Sequence, residues 1–227
     1  VGESFLADKI KEWEDSLPDF MSLAYLPQYG MVRLRLDGRH EDETYLRNSL
    51  DNQVEILKGI ISEHIFSYDD KPISEVVLGI LKERNLTLST AESCSGGSIA
   101  KMITSIRGCS SVYKGSVVAY SSKVKEDILE VEHDTIEKYN VVSRQVAEQM
   151  AIGAQKIMNT DFALSTTGVA GPDGGTEEIP VGTVCIALAT PNDVISRCFN
   201  FGKDRLNNIE RTSITAFEML RQYLLNN

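Results

Sequence analysis

From residue 73 onward, short apolar runs of strand length alternate with stretches whose apolar residues recur every three or four positions. That alternation describes a layered α/β domain, with helices covering both faces of a sheet. Ile73, Val76, Val77, Ile80 and Leu81 form one helix face, and "LTLST" (86–90) reads as a short strand. A helix carrying Ile99, Met102, Ile103 and Ile106 comes next, then a strand in "VYKGSVVAYS" (112–121) and a short helix in "KVKEDILEV" (123–131). Residues 143–159 are helical, with Val146, Met150, Ala154 and Ile157 inside, and "DFALSTTG" (161–168) is a buried strand. "VGTVCIALAT" and "DVISRCFNF" form a strand pair after the turn-rich "AGPDGGTEEIP" (170–180). The last helix places Leu206, Ile209, Phe217, Leu220 and Leu224 on its apolar face, with Ser213 on the same side.

The first 70 residues have a different rhythm. "MVRLRLDG" (31–38) alternates Val32, Leu34 and Leu36 against Arg33 and Arg35, the pattern of a half-buried strand. Residues 46–65 carry a helical apolar stripe, and 3–15 suit another helix. "YDDKP" (68–72) marks the boundary. The expectation is a small α+β unit over 1–70 and the α/β domain over 71–227.

Composition narrows the function. A net charge of −10 offers no basic face for nucleic acid. No run of 18 apolar residues suggests a membrane span, and no signal peptide opens the chain. Cys94, Cys109, Cys185 and Cys198 contain no CxxC and read as reduced thiols of a cytoplasmic protein. Only three histidines occur, and none has metal-ligand spacing, so neither a metal nor a cofactor is expected. The chain begins at Val1, which reads as a fragment or a processed chain.

The candidate chemistry lies on the loops beside the strands. "AESCSGG" (91–97) joins a strand to a helix. Helix N-termini hold anions, Gly96 and Gly97 would let backbone approach a ligand, and Ser93 and Ser95 could cap the helix or bond that ligand. The same residues would also serve as a cap and nothing more. "RGCSSVYKG", "AYSSKVKED" and "STTGVAGPDGG" are three further polar turns at strand ends, where open α/β sheets collect ligands. Lys125 falls in the first turn of a helix capped by Ser121 or Ser122. The helix dipole, and burial if present, would lower its pKa toward that of a general base for a serine. A solvated surface lysine is the alternative. His133 is the only histidine of the α/β domain and lies in the charged "EVEHDT", so a Ser–Lys arrangement is simpler than a histidine triad. Arg205 in "FGKDR" could clamp a phosphate or pair with Asp204 or Glu210.

"TAESCSGG", "GCSSVYKGSVVAYSSKVK", "STTGVAGPDGGTEEIPVGTV" and "GKDR" together resemble the C-terminal domain of the CinA family. That domain also exists alone as nicotinamide mononucleotide deamidase. The stretch from "GES" through "LAYLPQYGMVRLRLDGRHED" to "YDD" resembles the family's KH-like middle domain, though residues 1–72 lack the GxxG of a KH loop. The family's molybdopterin-binding-like N-terminal domain has no counterpart in these residues. Pattern and resemblance together give a three-layer α/β/α domain with a mixed sheet, preceded by the small α+β unit.

The resemblance implies metal-independent hydrolysis of the carboxamide of nicotinamide mononucleotide to nicotinate mononucleotide and ammonia. It implies Ser110 as nucleophile, Lys125 as its base and Tyr120 as an assistant in proton transfer or positioning. Ser93 is the second candidate nucleophile and Cys94 the third. Ser93, Ser95, Gly96, Gly97, Thr167 and Gly168 would line the substrate site, and Arg205 would hold phosphate. The implied partner is a small nucleotide, in a homodimer, without nucleic acid or membrane. Two departures stand out: Cys109 occupies a position where the family has Ser or Ala, and Ser122 one where Asn is commoner. The competing readings are a non-catalytic nucleotide-binding domain and a competence-related interaction module.

Overall fold

The computed structural model describes residues 2–28 and 30–227. The chain forms two compact units that meet in sequence between Asp70 and Lys71. In the first, helix α1 (Glu3–Asp15) leads to the antiparallel strands β1 (Met21–Gln28) and β2 (Met31–Gly38), then to helix α2 (Glu43–Ile61). Asp42 caps α2 by accepting the Tyr45 N–H at 3.0 Å. Alternation along β2 turns Val32, Leu34 and Leu36 toward Leu6, Ile10, Trp13 and Ile61, while Arg33 and Arg35 face out. Two polar tips are tied at the margin of this core: Trp13 Nε1 donates to Gln53 at 2.9 Å, and Tyr25 donates to Glu14 at 2.7 Å.

The second unit is a five-stranded mixed sheet between two helical layers. Helix α3 (Ile73–Glu83) precedes β3 (Leu88–Glu92), and α4 (Ser98–Thr104) leads to β4 (Tyr113–Val118). Helices α5 (Ser122–Leu129), α6 (His133–Tyr139) and α7 (Arg144–Met158) then run to β5 (Phe162–Gly168). Strands β6 (Thr183–Ala189) and β7 (Val194–Asn200) form a hairpin, and α8 (Arg205–Asn226) closes the chain. The strand order is β4-β3-β5-β6-β7, with β4, β3 and β5 parallel and β6 and β7 antiparallel.

Residue alternation assigns the faces. Ala91, Ala163, Cys185 and Ala187 meet α5 and α7 through Leu129, Val146, Ala147 and Met150. Phe162 points the other way and packs edge-on against Tyr223 of α8. The alanines keep α7 close to the sheet, and Gly153 keeps it close to α5. A Cβ added at Gly153 would lie 2.1 Å from the backbone oxygen of Leu129. Because backbone cannot step aside as a side chain can, Gly153→Ala is expected to destabilise by about 1–3 kcal/mol, as overpacking does. Thermal unfolding should register that as a drop of roughly 3–10 °C for a chain of this length. An unchanged melting temperature would mean that the α5–α7 contact has slack.

Three expectations are corrected. The apolar face of α8 is set by Thr212, Ser213, Ala216, Phe217, Leu220 and Leu224, whereas Leu206 is 75% exposed. Leu206 sits in the first turn of the helix, which begins at Arg205. Ile157, expected inside α7, is 48% exposed, near the end of the helix; His133, in the charged "EVEHDT" stretch, is exposed and bonded to Glu126, whose carboxylate raises its pKa. The four thiols are not all free: Cys185 and Cys198 stand directly opposite on β6 and β7, with Cα atoms 4.0 Å apart, and are joined in a disulfide. No helix among the described residues is long and apolar enough to cross a membrane.

Candidate active site

Three parallel strands, β4, β3 and β5, end at one edge of the sheet, and the polar side chains gather there. Strand β3 ends at Glu92, and Ser93 continues beside it, its N–H donating to the Thr166 carbonyl at 3.0 Å. On the other side Ala119 follows β4, its N–H donating to Glu92 O at 2.7 Å. The chain then turns into α5, capped by Ser121, which accepts from Val124. This short turn delivers Lys125 back toward the end of β3.

Lys125 is 1% exposed. Its Nζ donates to Ser93 Oγ at 2.9 Å and to the Ala119 carbonyl at 2.7 Å. Burial pushes its pKa down from 10.5 to about 8, with the Cys94 thiol a lesser, opposing influence. At pH 7 such a lysine is a free amine about a tenth of the time, roughly 300 times more often than at the ordinary value. Neutral, it accepts the Ser93 proton; protonated, it returns a proton to a leaving group. The arrangement is a nucleophile with its base in contact.

The Ser110–Lys125 pair expected from the sequence is not formed. Ser110 lies in a 3-10 turn (Cys109–Ser111) before β4 and is exposed. Because β4 runs parallel to β3, with Tyr113 beside Leu88 and Val118 beside Glu92, that turn lies at the opposite end of the sheet. The length of β3, roughly 15 Å at ~3.3 Å per residue, separates the two levels.

The remaining candidates divide. Tyr120, next to Ala119, is 64% exposed and accepts a hydrogen bond from Arg205 Nη2 at 3.1 Å. Arg205 also donates to the Gly171 carbonyl at 2.7 Å, so it bridges the loops that follow β4 and β5. Ser95 and Thr167 turn inward instead of forming pocket wall. Ser95 is 3% exposed, and Thr167 donates to the Val141 carbonyl. Gly168, at the end of β5, lies against Thr183 and Val184, with no room for a side chain. Cys94 is buried, which pushes its thiol up to about 12 and makes it a poor nucleophile at neutral pH.

The helix end behaves differently from the sequence expectation. Neither Ser93 nor Ser95 caps α4; Gly97, at φ 94°, takes the cap position. Glu92 fills the N-terminus. Its Oε2 accepts from Gly97 N at 3.0 Å, Ile99 N at 3.1 Å and Ser95 Oγ at 2.8 Å, and its Oε1 from Ala100 N at 2.8 Å. The place an external anion would take is occupied by the protein's own carboxylate. Gly96 N–H is also engaged, donating to Ser93 O at 3.1 Å. These glycines therefore serve the turn. The role of Glu92 is not legible in the sequence, since its partners, three backbone N–H groups and one hydroxyl, leave no mark in residue spacing.

A three-layer mixed α/β domain with serine and buried lysine in contact at the strand ends is the class that fold and site define. Residues 70–224 match the CinA C-terminal domain, and residues 1–67 match the damage-inducible protein CinA KH domain. The chain belongs to the CinA family. A CinA-like protein of Flavobacterium psychrophilum is 50% identical over 228 residues, covering 100% of this chain and 54% of that protein. One from Cytophaga hutchinsonii is 40% identical over 224 residues, covering 99% and 54%. The chain thus spans about half the length of these curated relatives. Among solved structures, the competence/damage inducible protein CihA from Agrobacterium tumefaciens aligns with TM-score 0.66 and 38% identity, covering 72% of this chain and 99% of that one. A CinA superfamily protein from Escherichia coli aligns with TM-score 0.64 and 28% identity, covering 72% and 98%.

Proposed function

We propose that the α/β unit is a serine–lysine amide hydrolase that acts on the carboxamide of nicotinamide mononucleotide. The observation that carries the reading is the 2.9 Å contact between the buried Lys125 amine and the Ser93 hydroxyl. The substrate comes from the family resemblance, and the reaction follows from the pair. Neutral Lys125 takes the Ser93 proton as Oγ attacks the amide carbon. The tetrahedral intermediate collapses when Lys125 protonates the departing nitrogen, which leaves as ammonia. Water, deprotonated by the same amine, then cleaves the acyl ester to the carboxylate and restores Ser93. Arg205, carried by the mouth of the site, is the group proposed to receive the phosphate, exchanging its bond to Tyr120 for two bonds to phosphate oxygens. Cytoplasmic residence and a homodimer belong to this same proposal.

The test is ammonia release from nicotinamide mononucleotide in the presence of EDTA. Release should saturate with substrate. Its pH dependence follows from the sign of the lysine shift: the base is the deprotonated form, so kcat/KM should climb tenfold per pH unit below about 8 and level off above it. Folded protein that binds the nucleotide and releases no ammonia would make the domain a binding module. A rate flat from pH 6 to 9 would remove Lys125 as the titrating base.

A further inference from the structure

We propose that Glu92 is the positioning residue of this site, fixing the turn 93–97 so that the Ser93 hydroxyl stands on the Lys125 amine. The catalytic consequence rests on the hydrolase reading; the geometry does not. Glu92 is fully buried, and every one of its side-chain bonds goes to residues 95–100. It therefore grips the turn from the far side, where α4 begins. The near side is gripped by Thr166, whose carbonyl accepts the Ser93 N–H and whose hydroxyl bonds to Ser95 Oγ at 2.7 Å. Since Ser95 already donates to the carboxylate, Thr166 is the donor in that bond. Ser93 lies between the two grips, with its own carbonyl accepting from Gly96. A five-residue turn with two glycines at positive φ would otherwise have many conformations, and few of them aim Ser93 Oγ at Lys125.

The carboxylate is matched to this task because it offers acceptors alone. Oε2 receives three donors and Oε1 receives one, so four hydrogens converge on two oxygens. Glutamine has the same volume and one oxygen. In its better orientation the amide NH2 replaces Oε1 and opposes the Ala100 N–H, two donors facing each other. The turn must shift to relieve that, and Ser93 shifts with it.

The test is Glu92→Gln in the full chain, read in two ways. With nicotinamide mononucleotide, kcat per folded molecule should fall about 100-fold while KM stays within about twofold, as expected when reacting groups are misplaced by about 1 Å. Separately, NMR titration of Lys125 in protein with isotope-labelled lysine, without any substrate, should show its midpoint move further down. Loss of Ser93 Oγ takes an acceptor from the ammonium, and loss of the carboxylate charge acts in the same direction, so Ser95→Ala, which keeps that charge, must lower the midpoint as well. A purely structural role would lower the melting temperature and leave kcat of the folded fraction, and the Lys125 midpoint in Ser95→Ala, at wild-type values, which overturns the proposal. If the wild type releases no ammonia, the hydrolase reading fails on its own, and an unmoved Lys125 midpoint would then sink the positioning role. Should Glu92→Gln fail to fold, Ser95→Ala removes one of the four donors and should give both effects in weaker form. Wild-type kcat and midpoint in that variant would likewise overturn the proposal.

Discussion

Lys125→Met should release ammonia about 10³–10⁴ times more slowly than the wild type, while melting within a few degrees of it at pH 7. The two halves have one cause. The folded chain lowers the Lys125 pKa from 10.5 to about 8 by burying it. The unfolded chain therefore holds this proton up to pH 10.5, and the folded chain only to about 8. Below pH 8 both forms are protonated, and folding carries the full penalty of burying the charge, about 3 kcal/mol for such a shift. Between 8 and 10.5 the penalty fades, and stability rises with pH. Methionine removes the penalty and also the bonds to Ser93 and Ala119, each contributing about 1 kcal/mol. The opposing terms leave little net change. Paired calorimetry and ammonia assays check both halves. Substantial turnover in Lys125→Met would end its role as base, and a collapse of the fold would mean its two hydrogen bonds outweigh the cost of burial.

Ser93→Ala should remove turnover by about 10⁴-fold or more, since among the described residues no other hydroxyl is bonded to Lys125. Ser110→Ala should stay within a few-fold of wild type. Measuring both under one set of conditions decides between the serine that the resemblance implies and the one that the geometry presents. The opposite result, a dead Ser110→Ala and an active Ser93→Ala, would assign the nucleophile to a residue at the other end of the sheet. Within one chain that residue does not reach Lys125, so a second copy would have to bring it there.

The amount legible in the sequence followed the range of each interaction. Strands and long helices came through because their periodicity is written in neighbours: Val32, Leu34 and Leu36 alternate, and Val146, Met150 and Ala154 recur every fourth residue along α7, while Ile157 is exposed near its end. Lys125 was legible for the same reason. Its place in the first turn of α5 is a local fact, and the sequence marked it as a strange position for a cation. What it would touch was not local. Ser93 and Ser110 lie 32 and 15 residues away in sequence, and the choice between them depends on the parallel pairing of β3 with β4, which puts the nearer residue at the far end. The Cys185–Cys198 pair escaped for a related reason. Its 13-residue separation has no meaning until strand register sets the two opposite each other. Leu206 failed in the other direction: helical period placed it on the apolar stripe, and in the first turn of α8 it is left exposed.

Cys109 gives the far end of the sheet a practical use. With Cys185 and Cys198 joined and Cys94 buried, it is the thiol that an aqueous maleimide meets first in the folded chain. A single fluorophore can be attached there, beside Ser110 and a strand's length from Lys125. Energy transfer between two such labels would rise if copies of the chain bring these turns toward one another. The molecule thus carries its own attachment point for asking whether it works alone or in pairs.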